Sequence, residues 1–268
     1  MIFPFFRILQ TKWSIWWTYR RFFYLLRKTL LLGRRMIVSE RIPWDDSSYF
    51  KKTLVFILTK NIKTLQAIEI LCKNGFGQDA LLLLRSMLES VISLGYIILD
   101  KENRGQLYLE YGDFLKLKSG KVLLRTNSGV DKTRIQARVQ ELEREWDSIK
   151  HKFLNREGEV CPTWSCKNLR EMAIKANLLS VYEWTYPLCS SYAHTTSSIA
   201  YSYVLGIDKK GVVLEVGTSH QFIGAVLPTA TSLLIYILNF VDSEFNSGFG
   251  SGIEKLKENL QSLHVITF

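Results

Sequence analysis

The segment from 78 to 100 is apolar on nearly every side, and it constrains the fold more than any other part of the chain. It contains the run Leu81–Leu84 and carries few charged residues. A helix that is apolar all round normally lies at the centre of a bundle. Gly75 and Gly77 come just before it and predict a tight turn between two antiparallel helices. The sequence therefore predicts an all-α protein, a multi-helix bundle built around this segment.

Helical periodicity recurs along most of the remaining chain. The helices that it predicts cover 9–32, 48–73, 78–100, 103–126, 131–155, 167–178, 180–202, 221–243 and 252–263. A different pattern occurs near 201–216, where two apolar stretches flank a polar turn and predict a small β-hairpin or an ordered loop. We divide the chain into a basic aromatic amphipathic helix at 1–42, a helical bundle domain at 43–245, and a C-terminal link with a short helix at 246–268.

Two of the predicted helices carry a narrow lane of polar side chains. In helix 78–100 the lane contains Arg85 and Glu89, and in helix 180–202 residues spaced by four share one face. An arginine in the interior needs a partner, because an unpaired buried charge is costly. Two mostly apolar helices can satisfy both lanes by facing each other. The predicted cluster consists of Arg85, Glu89, Tyr186, Ser190 and His194, with Ser197 and Tyr201 continuing the second lane.

This polar cluster has two interpretations. In the first it is a structural network that fixes the register of the helices. In the second it is a site for an anion or a nucleotide-like ligand, in which Arg85 holds a phosphate and His194 acts as general acid or base. Arg85 and His194 are then the candidate catalytic residues, and Glu89, Tyr186 and Ser190 the candidate ligand-binding residues. The pattern predicts neither a metal site nor a cofactor.

The first 39 residues contain eight basic side chains and no acidic one, which accounts for +8 of the chain's net charge of +10. Tryptophan, tyrosine and phenylalanine are interleaved with the basic residues, and the periodicity places Ile15, Trp16, Phe23 and Leu26 opposite the cations, in a helix that ends near Gly33. Three interpretations are open: docking on the bundle or a second subunit, binding to an anionic membrane surface, and contact with RNA or DNA. The candidate contact residues are Arg20, Arg21, Arg27, Lys28, Arg34 and Arg35.

The segment 222–241 has no charge and is long enough to span a bilayer, although Pro228 lies within it. It is therefore either a buried core helix or a transmembrane helix. The four cysteines form no CxxC pair, and the spacing of Cys161 and Cys166 has no counterpart elsewhere, as a structural zinc site would require. We expect free thiols in a reducing compartment, and hence a cytoplasmic protein, either free or peripheral at the inner membrane.

The residues of the two polar lanes resemble a known family. The run from Gly77 to Glu89, GQDALLLLRSMLE, resembles the first signature helix of a bacterial helical family known as the domain of unknown function number five-six-seven-seven. Trp164 and the Tyr186-x3-Ser190-x3-His194 row resemble its second signature, so that the likeness covers roughly 49–240. This resemblance implies a helical bundle and a setting in mobile-element or phage-defence loci.

A looser similarity links the chain to HEPN-type helical ribonucleases, which cleave RNA without a metal by an Arg and a His close together on one helix. Here Ser190 stands where that arginine would be, and Arg85 would replace it from the neighbouring helix. The resulting hypothesis is a phage-defence or toxin-type effector whose Arg/His site binds or cleaves RNA or a nucleotide. The alternative is a non-catalytic protein that docks to a membrane surface or a partner subunit through its N-terminal helix.

Overall fold

In the computed structural model of the protein, residues 3–39, 42, 47–126, 132–194, 196–208, 211–214 and 217–263 are described. Most of them are helical, which confirms the predicted all-α bundle. The elements are α1 (Phe3–Val38), α2 (Tyr49–Lys73), α3 (Gly77–Ile98), α4 (Lys101–Arg125), α5 (Lys132–Ile149), α6 (Leu169–Lys175), α7 (Leu179–Ala193), β1 (Val204–Asp208), β2 (Gly211–Leu214), α8 (Ile223–Phe245) and α9 (Gly250–Gln261).

The apolar helices α3 and α8 form the centre of the bundle, as their composition predicts. They pack against each other and against α2, while α7 and α6 cover α3, and α1 and α9 cover α8. Leu88, Ile92 and Leu94 of α3 and Leu234 and Leu238 of α8 are fully buried. By length and composition α3 and α8 could each cross a membrane, but a mostly buried core helix has the same properties. In the structure most of α8 is buried against its neighbours.

The first helix is longer than its sequence pattern indicates, because α1 continues through Gly33 to Val38. Gly33 lies where α1 crosses α2, and a Cβ there would be 2.9 Å from Cδ1 of Ile62. This glycine therefore serves close packing of two helices, and the prediction that it ends the helix was wrong. The inner face of α1 is buried on the bundle. The proposed division of the chain at 42 and 245 stays a prediction.

The helix predicted over 180–202 is shorter, since α7 ends at Ala193 and His194 caps it. A short 3-10 helix follows at Ser197–Tyr203 and leads into β1. Ser197 and Tyr201 therefore do not continue the polar lane of α7, and that part of the prediction was wrong. β1 and β2 pair antiparallel, with Asp208 opposite Gly211, where a hairpin was predicted. The end of its predicted second strand, at 215 and 216, lies outside the described residues.

Cys161 and Cys166 are joined by a disulfide bond, so the prediction of free thiols was wrong for this pair. The loop between them reverses direction, with Cys166 in the left-handed region at φ 52° and its backbone N–H donating to the Thr163 carbonyl oxygen. This reversal brings the two Cα atoms within 5.1 Å, a distance that a disulfide can bridge. Cys72 and Cys189 are free and buried. The argument for a reducing compartment thus rests on those two thiols alone.

Candidate functional site

The packing of α7 against α3 brings Arg85 into contact with three of the residues that the sequence placed beside it. Its Nε donates to Oε1 of Glu89 at 3.0 Å, and its Nη2 donates to the Tyr186 hydroxyl at 2.8 Å. Its Nη1 lies 3.1 Å from Nε2 of His194. The guanidinium carbon is also 4.8 Å from the centre of the Tyr186 ring. We call Arg85, Glu89, Tyr186 and His194 the Arg85 cluster.

From the contact between Arg85 and His194 we infer which ring nitrogen of the histidine carries its hydrogen. A guanidinium can only donate, so Nε2 must be the acceptor, and the neutral ring then carries its hydrogen on Nδ1. Protonation of Nε2 would remove this hydrogen bond. The backbone N–H of His194 donates to the Ser190 carbonyl oxygen at 3.0 Å, which places His194 at the C-terminal end of α7.

Ser190 itself lies on α7, half-buried, and its hydroxyl is not among the groups that contact Arg85. The structure therefore brings together four of the five predicted residues and leaves the fifth in a supporting position. Tyr182, one turn before Tyr186, stacks on it with ring centres 4.9 Å apart. This pair of rings holds the Tyr186 hydroxyl towards Arg85.

The Arg85 cluster lies neither in a dry core nor fully in solvent. The side chain of Arg85 is only 20% exposed, whereas that of Glu89 is 43% exposed and His194 is an exposed residue. Burial alone would lower the pKa of Arg85, but the hydrogen bonds and charge interactions with Glu89 and Tyr186 together outweigh burial, so that the pKa lies above its ordinary value. The cluster is thus a covered, permanently charged guanidinium with an accessible imidazole and carboxylate beside it.

Lys60 of α2 is a further charged residue beside the cluster, and sequence reasoning missed it. Its Nζ donates to the Ser90 hydroxyl at 3.0 Å, one residue after Glu89. Burial lowers the pKa of Lys60, and the nearby carboxylate of Glu89 opposes this only in part. Since Lys60 and Arg85 both lie near the one carboxylate of Glu89, the charges of these three groups sum to a net positive value. A partly buried lysine with a lowered pKa is itself typical of functional sites.

The candidate contact residues of α1 are all exposed: Arg20, Arg21, Arg27, Lys28, Arg34 and Arg35. Arg27 pairs with Glu69 of α2 at 2.6 Å, and Arg34 donates to Gln66 of α2 at 2.8 Å. Burial alone would raise the pKa of Glu69, but hydrogen bonds from Lys73 and Arg27 outweigh burial and leave the pKa below its ordinary value. These two arginines therefore also tie α1 to α2.

The aromatic residues of α1 do not all lie where the periodicity placed them. Ile15, Phe23 and Leu26 are buried as predicted, but Trp16 is exposed on the same side as the cations, so the prediction was wrong for it. The error arose because the buried face of α1 is narrower than the run of apolar residues in its sequence. A groove of about 540 Å³ runs between α1 and α9 on that side. Its lining includes Trp16, Arg20, Arg21, Tyr24, Arg27, Asn259 and Ser262.

Across the described ranges, no three His, Cys, Asp or Glu residues are grouped so as to hold a metal ion. No curated protein and no solved structure matches the chain, so the looser similarity to HEPN-type ribonucleases stays a hypothesis. A family model does match, over residues 51–211, a stretch that contains Lys60 and the whole Arg85 cluster. The chain therefore belongs to the family of unknown function DUF5677.

Proposed function

We propose that the Arg85 cluster binds a phosphate group of RNA or of a nucleotide, and that His194 serves as general base for RNA cleavage without a metal. The observation that carries this proposal is the guanidinium of Arg85, positioned by three hydrogen bonds and lying next to an exposed imidazole. A guanidinium has more N–H donors than those three contacts use. The remaining donors are available to phosphate oxygens, whose geometry matches the planar fork of arginine.

The charge balance of the site also favours an anion. Lys60 and Arg85 are both cationic, and Glu89 is the carboxylate that lies between them. A phosphate would offset the remaining positive charge in a setting where water is partly excluded, and there electrostatic attraction is stronger than in bulk water. Arginine and lysine together are a common phosphate-binding combination.

Phosphate binding would also free the base. As Nη1 of Arg85 turns to a phosphate oxygen, Nε2 of His194 loses its donor and can accept a proton. In RNA this proton would come from the ribose 2′-hydroxyl. The 2′-oxygen would then bond to phosphorus while the P–O5′ bond breaks, giving a cyclic phosphate and a 5′-oxygen that takes a proton from water. Arg85 would stabilise the charge that develops on the phosphate oxygens.

The biological setting follows the family resemblance. A cytoplasmic RNA-cleaving protein in a mobile-element or defence locus would act as a phage-defence or toxin-type effector, and its expression would slow the growth of its host. The Arg/His pair would take the role that it has in HEPN-type ribonucleases, with the arginine supplied by α3 instead of the helix that precedes the histidine.

The decisive test is cleavage of a labelled single-stranded oligoribonucleotide by the purified full chain in the presence of EDTA. We expect His194→Ala to lose about a hundredfold or more of the rate, because a positioned general base contributes at least that much. Arg85→Lys keeps the charge but loses the planar fork, and we expect weaker binding of inorganic phosphate and of adenosine monophosphate.

His151→Ala is the matched control, since His151 is an exposed histidine on the 3-10 helix after α5. It should cleave and bind as the wild type does, and thermal melting should show that all three variants are folded. If folded His194→Ala cleaves at the wild-type rate, His194 is not the base. If the wild type neither binds these phosphates nor cleaves RNA, the whole proposal is refuted.

A further inference from the structure

The outward face of α1 exposes several large aromatic and aliphatic side chains. Trp13 is 68% exposed and Trp17 is 53% exposed, and the two indole rings stack on each other with centres 6.0 Å apart. Trp16 and Tyr24 are exposed as well, and so are the aliphatic side chains of Leu9, Leu31 and Val38. These residues recur at helical spacing, so they form one stripe along the helix.

The charged residues on this same stripe are all cations. Arg20 lies over the Trp17 ring at 4.5 Å and Lys28 over the Tyr24 ring at 4.4 Å. The sequence from 1 to 39 has no acidic residue. Solvated helix faces normally interleave both signs, as α5 does where Arg138 pairs with Glu141. The outward stripe of α1 therefore combines large exposed apolar groups with a purely positive charge.

We infer that α1 lies flat on an anionic lipid bilayer and holds the bundle to its surface. Trp and Tyr rings prefer the boundary between headgroups and acyl chains, and basic side chains are attracted to anionic headgroups. A helix of 36 residues is about 54 Å long, so it offers many such contacts side by side. The groove between α1 and α9, with Arg20 and Arg21 in its lining, suits the phosphate of a lipid headgroup.

The exposed aliphatic residues favour lipid over nucleic acid as the occupant. RNA would contact the cations through its phosphates and the rings through base stacking. It would not bury the aliphatic side chains of Leu9, Leu31 and Val38. The rings of Trp13 and Trp17 also stack on each other, and Arg20 lies over the Trp17 ring. These contacts leave less ring surface for the stacking of bases. A bilayer accommodates both the aliphatic groups and the stacked rings.

The inference concerns a surface separate from the Arg85 cluster and does not rest on the function proposed for it. The test is co-sedimentation of the full chain with vesicles of phosphatidylcholine alone or of phosphatidylcholine with phosphatidylglycerol. We expect binding to the anionic vesicles that is at least about tenfold tighter than to the neutral ones and that weakens as salt is added. Equal binding to both vesicles, or none, would overturn the inference.

Two variants divide the apolar and the electrostatic contributions. Trp13→Ala with Trp17→Ala removes exposed rings, and Arg20→Gln with Arg21→Gln removes exposed charges, so both proteins should melt at the wild-type temperature. Each should lose about tenfold or more in anionic-vesicle affinity. Trp184→Ala is the matched control, because Trp184 of α7 is 85% exposed but lies outside α1, and it should bind as the wild type does.

If the outward stripe of α1 binds nucleic acid instead of lipid, the same variants give a different result. The same variants are tested for retention of a single-stranded oligoribonucleotide, and His194→Ala is tested on vesicles. If the Trp13/Trp17 variant loses the oligoribonucleotide but keeps the vesicles, the stripe binds RNA and the inference is wrong. Vesicle binding by His194→Ala should equal that of the wild type, so a failure of the RNA-cleavage proposal would leave this inference untouched.

Discussion

Replacement of Lys60 by methionine tests whether Lys60 binds a ligand or is only a structural brace, that is, a residue that stabilises the packing of α2 on α3. The ammonium of Lys60 is partly buried between α2 and α3, and burial lowers its pKa. Because the folded state thus disfavours the charged form, the lysine costs stability at neutral pH. Methionine keeps the length of the apolar stem and removes the charge. We therefore expect Lys60→Met to be folded and more stable than the wild type, but to bind phosphate less well.

The size of the effect follows from the contacts of Lys60. The variant loses the hydrogen bond from Nζ to the Ser90 hydroxyl, worth about 1 kcal/mol in a partly exposed position. Ser90 is not left unpaired, since its hydroxyl donates to the Ser86 carbonyl oxygen at 2.9 Å. Burial of the apolar end of methionine stabilises the folded variant by about 1 kcal/mol, which offsets this loss. Removal of the partly buried charge then decides the sign, because burial disfavours the Lys60 ammonium by more than Glu89 attracts it. Since solvent still reaches this group and screens its charge, we expect a net gain of at most about 1 kcal/mol.

The pH dependence of this gain provides a second measurement. The folded wild type releases the Lys60 proton at a lower pH than the unfolded chain, whose lysine has the ordinary value of 10.5. In that alkaline interval the unfolded chain binds more protons, so the free energy of unfolding of the wild type rises with pH relative to the variant. The advantage of Lys60→Met should therefore shrink as the pH approaches 10.5.

Urea unfolding of both proteins, followed by circular dichroism between neutral and alkaline pH, measures this difference. Lys63→Met on the same helix is the matched control, because Lys63 is exposed, and it should change neither stability nor phosphate binding. If Lys60→Met is destabilised at neutral pH, Lys60 is a brace and the charge argument is wrong. A gain in stability with unchanged phosphate binding would remove Lys60 from the site.

The cysteines provide two further predictions. Reduction of the Cys161–Cys166 disulfide should lower the free energy of unfolding by about 2 kcal/mol, because a short crosslinked loop constrains the unfolded chain by that amount; equal urea midpoints with and without reductant would contradict this. Burial raises the pKa of Cys72 from 9.0 to about 12. Its contribution to stability is therefore present below pH 9.0 and lost as the pH rises towards 12, and Cys72→Ala should show a shallower alkaline loss than the wild type in the same titration.

The bundle could be predicted from the sequence because the signals for its helices are local in the chain. The apolar composition of α3 and α8, the two glycines at the start of α3 and the polar turn before β2 are each encoded within a few residues of the chain. Errors arose where the end of an element is decided by packing. Gly33 looks like a helix end in the sequence, but in the structure it lets α1 approach Ile62 of α2. The disulfide likewise depends on a backbone reversal at Cys166 that no spacing rule indicates.

The Arg85 cluster was predictable in part for the same reason. Arg85 and Glu89 share a helix, and Tyr186 and His194 share a face of the next one, so periodicity could pair them. Lys60 could not be found this way, because its contact with Ser90 crosses between α2 and α3 and leaves no repeat in either helix. The hydroxyl of Ser190 is not among the groups that contact Arg85, because a shared face at i+4 does not specify which side chain reaches across an interface; its role in ligand binding stays a prediction.

The partly open position of the Arg85 cluster is the strongest physical argument that it does more than fix helix register. A polar network that only fixes the register of two helices is most stable when it is sealed from solvent. Each buried charge then keeps all its partners, and no ligand can compete for them. Here the partners of Arg85 on the outer side, Glu89 and His194, are themselves accessible, and Lys60 adds a second cation where one would suffice to balance Glu89. α7 packs on α3 and α6, whereas α1 packs on α2, α8 and α9, so the cluster and the outward stripe of α1 lie on different helices with different neighbours. The two proposals therefore concern different surfaces: a bilayer would cover the outward stripe of α1, and a dissolved phosphate ligand would bind at the Arg85 cluster.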